Sequence, residues 1–568
     1  MSVVPSPTLA VPASLHASLI ARLDRLGPIS KEIAQVGSVI GREFGYDLVE
    51  LVAQRPTREL QVGLDRLIDA GLLFCRGTAP QFTYLFKHAL LLDAAYSTLL
   101  RAKRQELHAR IGKILEEQFP DTANTQPEIL AHHFTQAGLV DRAIEFWRRA
   151  GMRSVARSSN SEAVGQFGHA LDLLEKLPPS RQRDERTLEL TLALAVPQIA
   201  AHGFGSLQVE ESALRAKQLS DKLPGASGRF AARRLAWNSC LMRQPVPKTV
   251  ALAQELLELA EGTQHPAKLA VAYRALGYSL LVAGDLRNAA DILGRGIALA
   301  DALSDQDFAV YGEHPGMVCR AYEAQTKVLM GFPETAMRLV EAAVARARDA
   351  KNAHALAWAV GVAGHIFQLQ HEPAVTAQFA SEAIETAREN RLPQWLALGE
   401  RCKGWAIFRL GEREAGLKLQ QEGVKRWYDT GAVLHTTQCE IILAECFLRD
   451  GQLALARSHL DIACTHRERY GEDYLRAEID RLEALLQQQE NAPPEIVERH
   501  LINALETARR QSARLLELRA TITLAQILDE RNERCRAVEM LAPIYGWFTE
   551  GFDTADLKEA KTLLDHLT

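Results

Sequence analysis

The sequence holds no GxxxxGK[ST] segment, so it encodes no loop of the kind that cradles a triphosphate. GxSxG and GxGxxG are also missing, and His371-Glu372 lacks the second histidine of an HExxH zinc site. The eight cysteines (Cys75, Cys240, Cys319, Cys402, Cys439, Cys446, Cys464 and Cys535) form no CxxC and show no zinc-ligand spacing with histidine. They predict reduced, mostly buried thiols in a cytoplasmic protein. Aromatics are scarce at 6%, which suits packed helices more than β-sandwiches. Charge is nearly balanced, 66 Lys+Arg against 71 Asp+Glu, net −5, which leaves no electrostatic footprint for nucleic acid or an anionic membrane. The longest apolar stretches, such as Ala355 to Phe367, are too short to span a bilayer. The opening MSVVPSPTLAVPAS has neither the basic start nor the unbroken apolar core of a signal peptide. Together these absences argue against an enzyme: no catalytic residue, cofactor or metal site is expected.

What is present is a repeat. The helix–turn–helix signal around Gly411 recurs at Gly331, His371, Gly411 and Gly451, three steps of 40 residues. Fixed-period self-similarity is the mark of a solenoid. With Gly138, Gly284 and Asn532 added as turns, the residue seven earlier is always Ala or Gly, as at Gly277, Gly364, Gly404 and Ala444. The residue five later is always small, as at Ala336, Thr376, Gly416 and Ala456. Offsets of 5, 9 and 12 share one helical face, and small residues on two antiparallel helices let their axes approach. Glycine suits the left-handed turn conformation. His371 does not, and Pro373 behind it is expected to stop the first helix instead. The small–turn–small–large pattern resembles the tetratricopeptide repeat, most clearly in Ala444, Gly451, Ala456, Leu460 and Ala463. It departs in length, 40 residues instead of 34, which longer helices or longer links would supply.

The length of 568 residues allows two or more units. Residues 1–14, with Pro5, Pro7 and Pro12, read as a linker. Leu15, Leu19, Leu23 and Leu26 then form one helical stripe, closed by Gly27-Pro28. Ser30 is the expected N-cap of a second helix ending at Gly41. Tyr46–Ala53 is a short helix, and Thr57 is expected to cap a third main helix with Leu60, Leu64, Leu67 and Ile68 inward and Gly71 as its stop. LLFCRG and FTYLFKH, separated by Thr78-Ala79-Pro80, predict a β-hairpin. Three helices and a hairpin are the order of a winged-helix domain, placed at 15–103. Residues 104–265 read as a helical connector with irregular helical repeats, broken at Pro197, Gly203, Pro224-Gly225 and Pro245–Pro247. Residues 266–568 read as the α-solenoid, with Asn491-Ala-Pro-Pro494 as a break and WFTEGFDTADLKEAKTLLDHL as the terminal cap. The fold class is therefore all-α dominated, a small winged helix followed by a tetratricopeptide-like solenoid.

SLHASLIARLDRLGP, VIGREF, FKHALLLDAAYSTLL and RQELHARIGKILEE resemble the winged-helix segment of bacterial STAND-type ATPases. AHHFTQAGLVDRAIEFWRRAG and LAPIYGWFTEGFDTADLKEAKTLLD are similar to the same group, in particular to regulators that carry a class III adenylate or guanylate cyclase domain, then the ATPase, then helical repeats. The resemblance implies the C-terminal part of such a regulator without its P-loop and cyclase domains, whether as a truncated gene, a split protein or a free-standing descendant. It also implies a nucleotide-sensing role for His88, beside Lys87, because a histidine in this region of STAND proteins contacts phosphate.

The remaining candidates have plainer readings beside the functional ones. Neighbouring His132 and His133 point about 100° apart on a helix, so they do not share one ion. The third helix of the winged fold, often the DNA reader, sets Arg58 and Arg66 against Glu59, Asp65 and Asp69, a poor match for phosphate. The basic run from Arg101 reads as a solvated face. Trp237, Trp358, Trp395, Trp405 and Trp427 read first as helix-packing core, and second as anchors for a ligand on a concave face. The expected function is a non-enzymatic interaction module, the sensor arm of a signalling regulator. It would hold a protein partner or small ligand on the concave face and meet an ATPase or cyclase partner through the winged helix. The alternatives are a transcription regulator that reads DNA and senses an inducer, and a fragment of a cyclase–ATPase protein.

Overall fold

The computed structural model describes residues 13–78, 82–223, 225, 228–304, 306–308 and 314–568. Residues 1–12 of the expected linker, Ala79 and Pro80 of the expected hairpin turn, and Pro224 among the expected breaks lie outside them. The chain divides into two compact units, one up to Arg183 and one from Asp184.

The first unit begins with α1 (Ala13–Arg25), α2 (Pro28–Ile40), β1 (Glu43–Gly45), α3 (Tyr46–Ala53) and α4 (Thr57–Asp69). Strands β2 (Leu73–Arg76) and β3 (Thr83–Phe86) follow, and the antiparallel order is β1-β3-β2. The expected hairpin is present, with Leu73 opposite Phe86 and Arg76 opposite Thr83. Phe44 of β1 stacks on Tyr84 of β3 at 5.7 Å and closes a core with Ile33, Val49, Leu60, Leu64 and Leu67. At Gly63 a Cβ would sit 2.2 Å from Ile33 Cδ1, so a larger residue there would require the Ile33 side chain to shift. Two expected caps are corrected. Helix α2 starts at Pro28, so Ser30 is a buried residue inside it. Thr57 opens α4 without capping it, and its hydroxyl donates to Glu50 Oε1 at 3.1 Å. Proline's fixed φ makes it a helix start, which removes the need for a capping serine. The unit continues through α5 (Ala89–Ser97), α6 (Arg101–Gln118), α7 (Pro120–Thr125), α8 (Pro127–Ala137), α9 (Val140–Ala156) and α10 (Asn160–Glu175).

The second unit opens with α11 (Arg181–His202) and α12 (Leu207–Lys222). Helix α11 runs through Pro197, giving up one backbone hydrogen bond instead of breaking there. Antiparallel pairs follow: α13 (Arg229–Arg243) with α14 (Val246–Thr263), α15 (Pro266–Val282) with α16 (Leu286–Asp301), and α17 (Pro315–Met330) with α18 (Pro333–Asp349). Next come α19 (Ala353–Leu369) with α20 (Pro373–Glu389), α21 (Pro393–Arg409) with α22 (Arg413–Asp429), and α23 (Thr436–Arg449) with α24 (Leu453–Tyr470). The stack ends with α25 (Arg476–Gln489) and α26 (Pro494–Gln511), α27 (Arg514–Glu530) and α28 (Arg534–Tyr545), and α29 (Ala555–Leu567). Helices α19 to α22 are 17 residues each with three-residue links, so longer helices account for the 40-residue step.

The turn residues behave alike. Gly331, Gly411 and Gly451 take φ of 92°, 112° and 74°. His371 takes the left-handed φ of 59° after all, and Asn491 is itself a turn at 59°. Pro373 and Pro494 do not end helices. They stand at the first positions of α20 and α26.

The first helix of each pair is buried on nearly all sides and the second only along a stripe. In α19, 13 of 17 residues are buried, and in α20, 5 of 17. The cause is that the stack coils back onto itself. Val433 N–H donates to Met242 O at 2.7 Å, Asp473 N–H to Val282 O at 3.0 Å, and Phe204 N–H to Gln394 Oε1 at 2.8 Å, the last across 190 residues. Near the C-terminus, Gly551 N–H donates to Glu334 Oε1 at 2.8 Å, and Thr335 N–H to Glu550 Oε1 at 2.9 Å. The inner helices therefore line an interior and not an open trough.

Candidate functional site

That interior leaves a pocket bounded by Met242 of α13, Tyr278 of α15, Tyr322 of α17, Trp358 and His365 of α19, and Trp395 and Arg401 of α21, with Trp427 and His435 at its end. About 40 Å³ of it is open, room for about three waters. Tyr278 and Tyr322 stack at 3.7 Å, and Tyr322 meets Trp358 edge-on at 5.8 Å. Trp427 is pinned by its Nε1–H, which donates to Leu434 O at 2.8 Å.

These aromatics come from successive inner helices in a shifting register. Tyr278 precedes its turn by six residues, Tyr322 by nine, Trp358 by thirteen and Trp395 by sixteen. Each step is about one helical turn. A row that crosses the coiled stack meets each helix one turn nearer its start.

Beneath the pocket runs a buried polar chain. Tyr278 Oη and His435 Nε2 lie 2.8 Å apart, and His435 Nδ1 is 3.3 Å from Tyr474 Oη. Tyr474 donates to Gln438 Oε1 at 3.0 Å, and Gln438 Nε2 lies 2.9 Å from His365 Nδ1. Burial lowers His435 well below the usual imidazole range and His365 to about 3, so both rings are neutral at pH 7. Burial also pushes the Glu472 carboxyl, close to His435, up to about 8. Arg401 is the cation of the pocket, 4% exposed. Its Nη1 donates to Cys439 Sγ at 2.7 Å and its guanidinium lies 5.0 Å from the Trp427 ring centre.

A second, more polar cavity with about 340 Å³ open to water centres lies farther along the stack. There Arg481 pairs with Glu478 at 2.5 Å, Arg519 with Asp556 of α29 at 2.8 Å, and Glu445 with Arg449 at 3.0 Å. Its charges are matched within the protein.

Of the five tryptophans singled out in the sequence, Trp358, Trp395 and Trp427 share the aromatic pocket. Trp237 is core and donates to Ser279 Oγ at 3.0 Å, while Trp405 is buried beside His371 and Arg409. The partners of the tryptophans, Tyr278, Tyr322, His365, Arg401 and His435, were missed. The stepwise drift of aromatics toward the helix start was the available signal. In the first unit, His88 is exposed ahead of α5 and the Lys87 ammonium lies 5.3 Å from the Phe74 ring. His133 is buried with Nδ1 2.9 Å from His108 Nδ1, and no cluster of three metal-ligating side chains occurs among the described residues. The basic run is tied down locally, with Lys103 and Arg110 on Glu106 and Arg104 over the Tyr96 ring. Among the described residues no helix is long and apolar enough to cross a membrane. Five of the eight cysteines are buried and all are free.

No known family description matches the chain. Over 533 residues it is 24% identical to an uncharacterized protein of Rhizobium meliloti (strain 1021), a match covering 91% of this chain and 50% of that protein. The chain thus spans half the length of the curated relative it matches. Among solved structures it is similar to a Rap protein complexed with competence and sporulation factor, at 11% identity and a TM-score of 0.48, over 65% of this chain and 99% of that one. It is also similar to a STAND protein with a tetratricopeptide repeat sensor from Pyrococcus horikoshii, at 13% identity and a TM-score of 0.33, over 80% of this chain and 68% of that one. At this depth of likeness, the assignment to a tetratricopeptide-like helical-repeat fold rests on the paired helices, their 40-residue step and their left-handed turns.

Proposed function

We propose that the chain is a non-enzymatic sensing and interaction module, in which residues 266–568 form a ligand-responsive solenoid, 104–265 a helical connector and 15–103 a winged helix. The observation that carries this reading is the aromatic pocket lined by successive inner helices of the coiled stack. A ligand that prefers one coil of the stack shifts its population toward that coil, by as much as its affinity differs between states. Helices α2 to α4 and a β1-β3-β2 sheet support the winged-helix part. The STAND resemblance supports its role as the contact to an ATPase or cyclase partner, with His88 and Lys87 facing the partner's nucleotide. Isothermal titration of the chain with ATP and with ADP tests the non-enzymatic half of the reading. No saturable binding is expected, and micromolar binding of either nucleotide overturns it.

A further inference from the structure

Among the described residues four arginines of the second unit are buried, and one of them, Arg274 of α15, donates through Nη2 to Asn238 Oδ1 at 3.3 Å. Arg481 and Arg519 each face a buried carboxylate, at 2.5 Å and 2.8 Å. Arg401 is as deeply buried, yet among the described residues no carboxylate lies within 4.0 Å of it. Among the described residues its Nε has no hydrogen-bond partner, and its Nη1 is met by a thiol. The pocket it lines contains no acidic side chain. Of the titratable groups around it, His365 and His435 are neutral in the folded protein, and burial pushes the Glu472 carboxyl, which feels the Arg401 charge, up to about 8. A buried charge without a counter-ion is costly to keep, and arginine does not shed its proton to escape the cost. Such a charge is retained where something else supplies the anion.

We propose that this pocket binds a small organic monoacid with a short aliphatic body, whose carboxylate pairs with Arg401. The inference rests on the reading of the pocket as the ligand site. The space beside the Tyr278–Tyr322 stack, Trp358, Trp395 and Trp427 holds about three waters, which a short aliphatic acid would fill. One guanidinium matches one carboxylate in charge and in its forked geometry. A phosphate dianion would need further cations, and none lines the pocket.

Calorimetric titration of the full chain with propionate, propanol and propylamine, three probes alike in size, decides between the outcomes. Propionate is expected to bind at least tenfold more tightly than the alcohol, with no saturable heat from the amine. Arg401→Met should erase the preference for the acid, and Arg401→Lys should keep most of it. If either variant fails to fold, the three probes on the parent protein still give the answer. Equal affinity for acid and alcohol overturns the carboxylate inference and leaves the pocket as a ligand site. No saturable heat from any probe overturns both.

Discussion

Gly404 and Gly364 occupy the same place in successive repeats, seven residues before their turns, and alanine at the two should have opposite effects. A Cβ at Gly404 would lie 2.3 Å from Gln420 N and 2.6 Å from its Cα, about 1 Å short of ordinary contact. The obstacle is the backbone of α22, which no rotamer change can move. Nor can α22 pivot away freely, since a Cβ at Gly416 would meet Phe408 N at 2.4 Å and one at Gly423 would meet Arg401 N at 2.4 Å. The two helices therefore cross on three glycines. Alanine gains about 1 kcal/mol over glycine in a helix, but overpacking of this kind costs about 1–3 kcal/mol and sometimes more. Gly404→Ala should fall at the costly end, a net loss of about 2 kcal/mol. At Gly364 the nearest atom to a Cβ is Ala380 N at 3.4 Å, an ordinary contact. Gly364→Ala should keep most of the propensity gain, up to about 1 kcal/mol. Urea and thermal unfolding followed by circular dichroism should place the two variants on opposite sides of the parent. A Gly404→Ala protein as stable as the parent, or less stable Gly364→Ala than Gly404→Ala, would refute the close-crossing argument.

Three further outcomes follow from the geometry. Arg519→Met leaves Asp556 buried without its partner and should cost about 3–5 kcal/mol; adding Asp556→Asn should recover most of it, and a melt of the double variant no better than the single would show that the pair does not hold the terminal cap. At the left-handed turn, His371→Asn should change stability by less than about 1 kcal/mol and His371→Val should cost clearly more, because a branched side chain tolerates φ of 59° poorly; equal melting points for the two would contradict the turn assignment. Burial lowers His133 to about 3 and His108 to about 4, so both stay neutral in the fold while the unfolded chain takes up protons below about pH 6.5. The first unit should therefore hold its full stability above that pH and lose up to about 1.4 kcal/mol per histidine for each pH unit below it. Glu472 acts in the opposite sense, since its raised carboxyl favours the second unit most at acid pH and ceases to as the pH climbs toward 8; a His133→Gln variant whose pH profile matches the parent would refute the first-unit part.

The period of the stack was legible because each repeat needs a left-handed residue at its turn and a small one at its crossing, and both leave marks at fixed positions. Gly404, Gly416 and Gly423 were found in this way. Pro373 was misread as a stop. Locally, a proline says only that no amide is available, and Pro333, Pro373, Pro393 and Pro494 use that at a helix start, where the amide has no acceptor anyway. His371 escaped because its residue type argues against the conformation that the repeat imposes on it. The pocket was only partly visible. Its tryptophans stood out by type, but its aromatic row drifts by one helical turn per repeat, and an alignment locked to the turns scatters it. Arg401 had no sequence signal at all, since its isolation depends on which carboxylates fail to reach it. The closure of the stack was equally hidden, because contacts such as Phe204 with Gln394, 190 residues apart, repeat with no period.

That closure is what gives the stack an interior, and amide hydrogen exchange tests it most directly. Val433 and Asp473 sit in connecting segments, yet their amides donate to Met242 O and Val282 O across successive turns of the coil. Both should exchange as slowly as amides in the middle of α19. Exchange at the rate of unprotected loop amides would mean that the coil stands open and the pocket has no fixed walls.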